Sequence, residues 1–337
     1  MADQPSSAPI NLRPSPFLTR LRFAVRIRVL KFLLKTVFQA LNLPGIRDKS
    51  VQPTFTKVYP CQPGLTNRVY IPKSYKSGDA LLPLYLNFHG GGFALMSPVG
   101  DDKFCSEFAH ENKVLVVSLD YPKSPGHKFP AASEAALDLV NAVLEDEALP
   151  IDKSKVAIGG FSAGGNLALS VSQYESLQGK IGGIVAYYPP VDMTTPIEVS
   201  LATRPKDAPP DVLRHDAAMF NWGYIKPEQD LRDPLLSPTF APREKLPPKL
   251  YFIGCEHDLL CRGAEIMAEK LADVGGPVRT GSDDCWERNG IKWEKIIAEE
   301  HAFDVVPSFG ATKIRRAKRR VEMHKSVAEW LFREVYH

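Results

Sequence analysis

Lys155-Val-Ala-Ile-Gly-Gly-Phe-Ser162-Ala-Gly-Gly-Asn-Leu-Ala-Leu169 reads as a short apolar strand, a serine bracketed by glycines, and a run of helix formers. Within it Gly160-Phe161-Ser162-Ala163-Gly164 fits G-x-S-x-G, the turn that lifts a serine hydroxyl above the edge of a sheet. Small residues suit that turn because the backbone is strained at the serine and larger side chains would collide. Taken alone, the match also fits a glycine-rich loop with an incidental serine. The strand before it and the helix-like run after it supply the context that the motif requires.

A second apolar run, Pro83-Leu-Tyr-Leu-Asn-Phe-His89-Gly90-Gly91-Gly92-Phe93, enters a histidine and three glycines. Consecutive glycines let backbone N–H groups converge on one point, which suits a tetrahedral oxyanion and would also suit a phosphate. The phosphate reading lacks support, since neither G-x-x-x-x-G-K-[ST] nor a G-x-G-x-x-G after a first strand is present. His-Gly-Gly-Gly about seventy residues before G-x-S-x-G matches the lipase and esterase arrangement, in which this loop gives N–H groups to the oxyanion hole.

On these residues the chain resembles α/β-hydrolases of the hormone-sensitive-lipase-like group, which includes microbial carboxylesterases and arylacetamide deacetylase-like enzymes. The similarity runs from about Leu82 to the C-terminus and takes in Asp120-Tyr-Pro-Lys-Ser-Pro-Gly-His-Lys-Phe-Pro-Ala-Ala132, Tyr188-Pro-Pro-Val-Asp192 and Asp233-Pro-Leu-Leu-Ser-Pro238. Phe161 stands where the group usually has an acidic residue, Gly126 where it has Glu, and Ala302 where it has Gly after the histidine. The resemblance implies a serine carboxylic-ester hydrolase acting on small to medium hydrophobic esters, with no cofactor and no metal. The nucleophile would be Ser162, and the oxyanion hole would be made by the N–H groups of Gly91, Gly92 and Ala163.

A serine hydroxyl needs a base within hydrogen-bond reach, and the base needs a carboxylate to hold its tautomer. In this fold they follow in the order Ser, Asp or Glu, His. His301, in Glu299-Glu-His-Ala-Phe-Asp304, follows the last expected strand and is the candidate base. His89 sits in the glycine loop, where ordering backbone by hydrogen bonding suits it better than proton transfer. Gly254-Cys-Glu-His-Asp258-Leu-Leu resembles the group's G-x-x-D-x-L segment with one extra residue, which makes Asp258 the candidate acid. Two other readings stand beside it: Asp258 as a cap of the next helix, and Glu256 as the carboxylate.

The chain has 337 residues, 44% hydrophobic and 24% charged, with a formal net charge of +3. That is an ordinary globular composition, and most of the basic excess lies near the two ends, so there is no electrostatic case for nucleic acid. Five cysteines without C-x-x-C spacing indicate neither a disulfide framework nor a zinc site, and a reducing compartment fits them best. The first residues show no basic segment followed by an apolar run, and no stretch reaches the ~18 unbroken apolar residues of a spanning helix. The expectation is a cytoplasmic protein, with membrane-surface association as the alternative; the oligomeric state is left open.

Strands alternating with helices predict a mostly parallel central sheet with helices on both faces and a helical cap. Residues 1–45 read as a tail and cap helix, and 46–337 as the α/β-hydrolase core with a cap insertion at about 193–242. Val51–Val58 and Thr66–Ile71 read as an edge hairpin, Asp211–Tyr224 as a helix in the insertion, and Gly275–Asn289 as a polar excursion before a last strand at Ile291–Ala298. The final helix is expected over Lys313–Tyr336, with a basic front half and the apolar residues Val321, Val327, Trp330 and Leu331. The N-terminal helix, Phe17–Leu43 with Pro44-Gly45 as its stop, places Arg20, Arg28, Lys31 and Lys35 in one stripe of about 80°. Arg22 and Arg26 fall opposite and interrupt the apolar surface, which favours a cap over a membrane-surface helix. An acyltransferase or deacetylase could use the same acyl-enzyme, and a membrane-surface lipase could use the basic helix. A ligand receptor on this fold, as in the plant gibberellin receptors, would typically lack the triad histidine.

Overall fold

The computed structural model of the chain describes residues 10–41, 48–273 and 278–337. The expected helix stop at Pro44-Gly45, the first nine residues and the first part of the Gly275–Asn289 excursion lie outside them. Among the described residues ten strands form one sheet: β1 (Phe55–Lys57), β2 (Asn67–Tyr70), β3 (Leu82–Phe88), β4 (Leu115–Leu119), β5 (Ile151–Phe161), β6 (Gly183–Tyr187), β7 (Lys249–Cys255), β8 (Thr280–Gly281), β9 (Cys285–Arg288) and β10 (Ile291–Ile296). Their order is β1-β2-β4-β3-β5-β6-β7-β10-β9-β8. The six central strands, from β4 to β10, are parallel, and both edges are antiparallel.

The central strands are buried on both sides, as a parallel sheet covered by helices demands. Side chains alternate between two cores with a period of two. Leu84, Leu86, Phe88, Ile158, Ile184 and Phe252 point to one face, covered by α3 (Ala131–Leu144), α4 (Ala163–Val171) and α7 (Cys261–Ala272). Tyr85, Phe161, Tyr187 and Tyr251 point to the other, covered by α2 (Asp102–Asn112) and α8 (Gly310–Glu334). Phe161, the residue before the serine, is thereby explained. It stacks on Tyr187 at 4.4 Å and meets Phe104 edge-on at 4.9 Å, in an aromatic layer that would leave a carboxylate unpaired.

Several expected bounds shift. Only Phe55–Lys57 of the first expected strand is extended, and a single 3₁₀ turn occupies Lys49–Val51. The Gly275–Asn289 excursion is not a plain loop, because β8 and β9 add two antiparallel strands to the sheet edge. There Trp286 pairs across from Trp293 and is 2% exposed. The hairpin buries few residues besides that tryptophan, so it leaves little alternation to read. The insertion carries α5 (Ile197–Ala202) and α6 (Ala217–Tyr224), with turns over most of Asp211–Asp216 where helix was expected. The last helix starts at Gly310, and Val321 on it is exposed.

α1 (Phe17–Leu41) is free of proline and glycine and rich in good helix formers. It packs on α6. Ile27 is fully buried against Gly223, Phe23 meets Trp222 at 5.9 Å, and the Lys31 ammonium donates to the Ser124 carbonyl at 2.6 Å. Burying a side chain such as Ile27 contributes about 1.5–3 kcal/mol. The expected basic stripe therefore loses Lys31, which is half-buried against the protein body. Arg26 also turns inward, to Asp216 at 2.7 Å, and so does not interrupt the helix's outer surface. The preceding segment is held too, through the Leu231 N–H to the Ile10 carbonyl at 2.7 Å.

Candidate active site

β5 ends at Phe161 and α4 starts at Ala163, so Ser162 is the whole turn between them, with φ 53° and ψ −117°. The turn can close only because glycines flank it. A Cβ at Gly164 would sit 2.0 Å from the Phe88 carbonyl oxygen, and one at Gly160 would sit 2.4 Å from the Gly164 carbonyl carbon. The Ser162 N–H donates to the Tyr187 carbonyl at 2.8 Å, which ties the strained residue to the neighbouring strand.

The structure brings the three separated candidates together. The Ser162 hydroxyl lies 3.0 Å from His301 Nε2, in position to donate its proton, and His301 Nδ1–H donates to Asp258 Oδ2 at 2.6 Å. Asp258 follows β7 and His301 follows β10, adjacent parallel strands whose carboxyl ends lie on the same edge of the sheet as the serine turn. The capping reading of Asp258 is not realised: its other oxygen, Oδ1, accepts the Leu260 N–H at 3.0 Å, in the turn before α7 begins at Cys261, and no side chain among the described residues caps that helix. Glu256 is occupied elsewhere, accepting the Ala298 N–H at 2.7 Å.

The loop carrying His301 is anchored by a residue whose part was not legible in sequence. Glu299 is fully buried and takes Arg315 Nε at 2.9 Å and Arg316 Nε at 3.0 Å, with Arg319 at 3.4 Å. The basic front half of α8 thus clamps the segment two residues before the histidine. Asp211, in the insertion, accepts the Leu259 N–H at 2.8 Å, and Arg204 donates to the His257 carbonyl at 2.9 Å. Both bonds hold the Asp258 loop from the segment between β6 and β7.

The electrostatics favour the cationic form of His301. Burial works against the His301 imidazolium. The Asp258 carboxylate outweighs it by charge and hydrogen bond, and Asp211 and Asp304 add to this, so the ring titrates above its ordinary 6.5. Asp304 lies just beyond, accepting the Tyr188 hydroxyl at 2.8 Å, and the Tyr188 ring stands edge-on to His301 at 4.8 Å. A negative charge at Asp304 favours the imidazolium, so removing it lowers the pKa of the ring. Asp304→Asn keeps an acceptor for Tyr188, and its acid limb of turnover against pH is expected to move to lower pH than in the unmodified protein. An unmoved or raised midpoint in the pH–rate profile would contradict this electrostatic account.

His89 does not join the pair. It is fully buried, stacks on Tyr121 at 4.3 Å, and its Nδ1 lies 2.6 Å from the Gly90 carbonyl. Burial and then the Lys123 charge push it down to about 4 against the Asp120 hydrogen bond, so it is neutral at physiological pH. The following loop passes directly beside the serine, with the position of a Gly90 Cβ 3.6 Å from the Ser162 Cβ. Gly91 and Gly92 take φ of 112° and 59°. Among the described residues neither of their N–H groups donates to a protein acceptor, while the Gly91 carbonyl is occupied by the amides of Ala94 and Leu95. Ala163 is the first residue of α4, where helix amides are unpaired.

A strand-turn-serine, a histidine from beyond the end of the last parallel strand and a glycine loop beside them occur together in one known architecture. A family profile described as the alpha/beta hydrolase fold matches residues 85–282. The chain belongs to the alpha/beta hydrolase fold family. Carboxylesterase NlhH of Mycobacterium tuberculosis is 31% identical to this hydrolase over 249 residues, 69% of this chain and 74% of the relative. Arylacetamide deacetylase-like 2 of Homo sapiens is 27% identical over 269 residues, 62% of this chain and 67% of the relative. Among solved structures, an esterase of Pyrobaculum calidifontis superposes with a TM-score of 0.70 at 25% identity, covering 94% of this chain and 98% of its own. The hydrolase thus sits among enzymes of the carboxylesterase type, in the hormone-sensitive-lipase-like group that its motifs resemble.

Above the serine lies a cavity of about 660 Å³, mostly apolar. Its floor includes Gly91, Gly92, Ser162 and His301, and its upper wall includes Leu34 of α1 with Ala217, Phe220 and Asn221 of α6. Asp101, buried at the cavity wall, accepts the Asn87 amide at 2.8 Å. Burial raises its carboxyl to about 7 against that hydrogen bond, with the charges of Asp304 and Asp102 adding. Asp101 is not legible in the sequence, because nothing in Gly100-Asp101-Asp102 distinguishes a buried wall residue from a helix start.

Proposed function

We propose that the protein is a serine carboxylic-ester hydrolase working through an acyl-enzyme on Ser162. The observation that carries this reading is the run of contacts from Ser162 Oγ to His301 to Asp258 at 3.0 and 2.6 Å, placed at the base of an apolar cavity. Ser162 Oγ attacks the ester carbonyl carbon as its proton passes to His301 Nε2, and Asp258 holds the resulting imidazolium. The N–H groups of Gly91, Gly92 and Ala163 receive the oxyanion. Collapse of that intermediate breaks the ester C–O bond, and the leaving alkoxide takes the proton from Nε2. Water then repeats the sequence on the acyl-enzyme and releases the carboxylate.

The names of the relatives support ester chemistry, and the cavity's apolar wall supports small to medium hydrophobic esters. α1 and the insertion at about 193–242 act as a cap, since Leu34 and Phe220 overhang the serine from these two segments. No residue in the proposed steps calls for a cofactor or metal.

The expected result in rapid mixing with p-nitrophenyl acetate is a burst of nitrophenol stoichiometric with enzyme, followed by slower turnover. Adding short alcohols partitions the acyl group between water and alcohol without raising the burst. Turnover without acyl-enzyme accumulation under any condition, or transfer to alcohol with no hydrolysis, would contradict the hydrolase reading; the second outcome would favour an acyltransferase.

A further inference from the structure

The outer face of α1 has no protein partner among the described residues. Opposite the side seated on α6, the helix presents Leu18, Leu21, Val25, Val29 and Phe32, which are 50% to 75% exposed. At 100° per residue these five fall within an arc of about 80° and run along four turns of the helix. Large apolar side chains grouped in this way are uncommon on a surface that faces only water.

The charges around this stripe indicate what covers it. Arg28 and Lys35 flank it on one side and Arg22 on the other, all exposed. None has an acidic partner among the described residues, whereas Arg26 and Lys31 are used internally. From Gln4 to Arg47 the sequence contains eight Arg and Lys and no Asp or Glu. A second copy of the helix docked on this face would set arginines against arginines with nothing to neutralise them. Lipid phosphates and anionic headgroups above an apolar interior supply both complements at once. No helix of the described residues is long and apolar enough to cross a membrane, which leaves α1 lying in the plane of the surface.

We propose that α1 docks the protein on the surface of an anionic bilayer, with Leu18, Leu21, Val25, Val29 and Phe32 entering the headgroup boundary and Arg22, Arg28 and Lys35 meeting the phosphates. The long basic side chains can bury their stems beside the stripe while their heads reach the charged layer. The same helix supplies Leu34 to the cavity wall, and Val305 and Val306, also at the cavity, are 51% and 43% exposed. Docking therefore sets the cavity wall beside a phase in which apolar esters concentrate. The docking stands without the esterase reading; only this consequence rests on it.

The test is co-sedimentation of the full-length protein with vesicles of phosphatidylcholine alone and of equal parts phosphatidylcholine and phosphatidylglycerol, at low and high salt. Binding is expected only to the anionic vesicles and to weaken with salt. The triple variant Arg22→Gln, Arg28→Gln, Lys35→Gln should lower the partition coefficient by about 10²-fold, the product of three surface charges. The variant Leu21→Gln, Val25→Gln, Phe32→Gln should lose binding as well. Both should keep wild-type turnover of a short soluble ester, and sedimentation velocity without vesicles should give one mass for all three proteins. Equal binding to both vesicle types, no binding to either, binding unchanged in either variant, or a mass that halves in the apolar variant would overturn the proposal. If a variant lost ester turnover through misfolding, the salt and lipid dependence of the unmodified protein would still decide.

Discussion

Ser162→Ala is expected to reduce ester turnover by on the order of 10³ to 10⁶-fold while leaving the fold intact. In the proposed mechanism the hydroxyl is the attacking atom, so the loss is large: without it only the proposed oxyanion donors and the cavity would act on the substrate. The fold survives because Ser162 Oγ bonds only His301 among the described residues, and alanine keeps the Cβ that the turn already accommodates. The left-handed backbone at φ 53° is paid for in both proteins alike. Turnover of p-nitrophenyl acetate and the thermal midpoint should be measured on the same preparation. A variant that keeps more than about a tenth of the rate would remove Ser162 from the chemistry.

Asp258→Asn is expected to lower the rate by about 10⁴-fold with little change in shape. The carboxylate accepts the Nδ1 proton at 2.6 Å, which leaves Nε2 free to accept from the serine. An amide in its place can present its NH₂ group to Nδ1, and the ring then carries its proton on Nε2, where it cannot act as a base. The Leu260 N–H still finds an oxygen, so the turn before α7 is retained. Glu256→Gln should have a small effect, because its carboxylate bonds the Ala298 N–H and not the imidazole. The comparison is made on kcat for one ester at one pH above the acid limb. If Glu256→Gln proved the more damaging, the carboxylate assignment would be two residues out.

The parts of the fold and site legible in sequence are those encoded locally. The serine turn needs Gly160 and Gly164 because carbonyl groups pack where their side chains would be, and this crowding is what writes the motif. His301 and Asp258 could be placed because each follows an apolar strand in the chain order of the fold. The central strands could be read because burial on both faces leaves unbroken apolar runs.

What could not be read depends on contacts between distant segments. Glu299 looks like one of two acidic residues in a row until α8 folds back and brings three arginines to it. Asp211 lies among prolines and turns, and nothing nearby shows that it reaches the amide of Leu259. The helical wheel of α1 placed its charges in angle but could not say which side the protein would cover. Arg26 is expected to spoil an outer face and instead finds Asp216, the residue just before α6. β8 and β9 escaped because only Trp286 between them is well buried, so the hairpin has hardly any apolar alternation.

The central claim, an acyl-enzyme on Ser162, is tested most directly by covalent capture with an aryl phosphonate ester, whose phosphorus takes the place of the ester carbonyl carbon. Intact mass followed by peptide mapping is expected to show one phosphonyl group per chain, on Ser162, with loss of activity in proportion and no adduct in Ser162→Ala. An adduct on any other residue that tracks the loss of activity, or ester turnover that continues with Ser162 fully phosphonylated, would contradict the account.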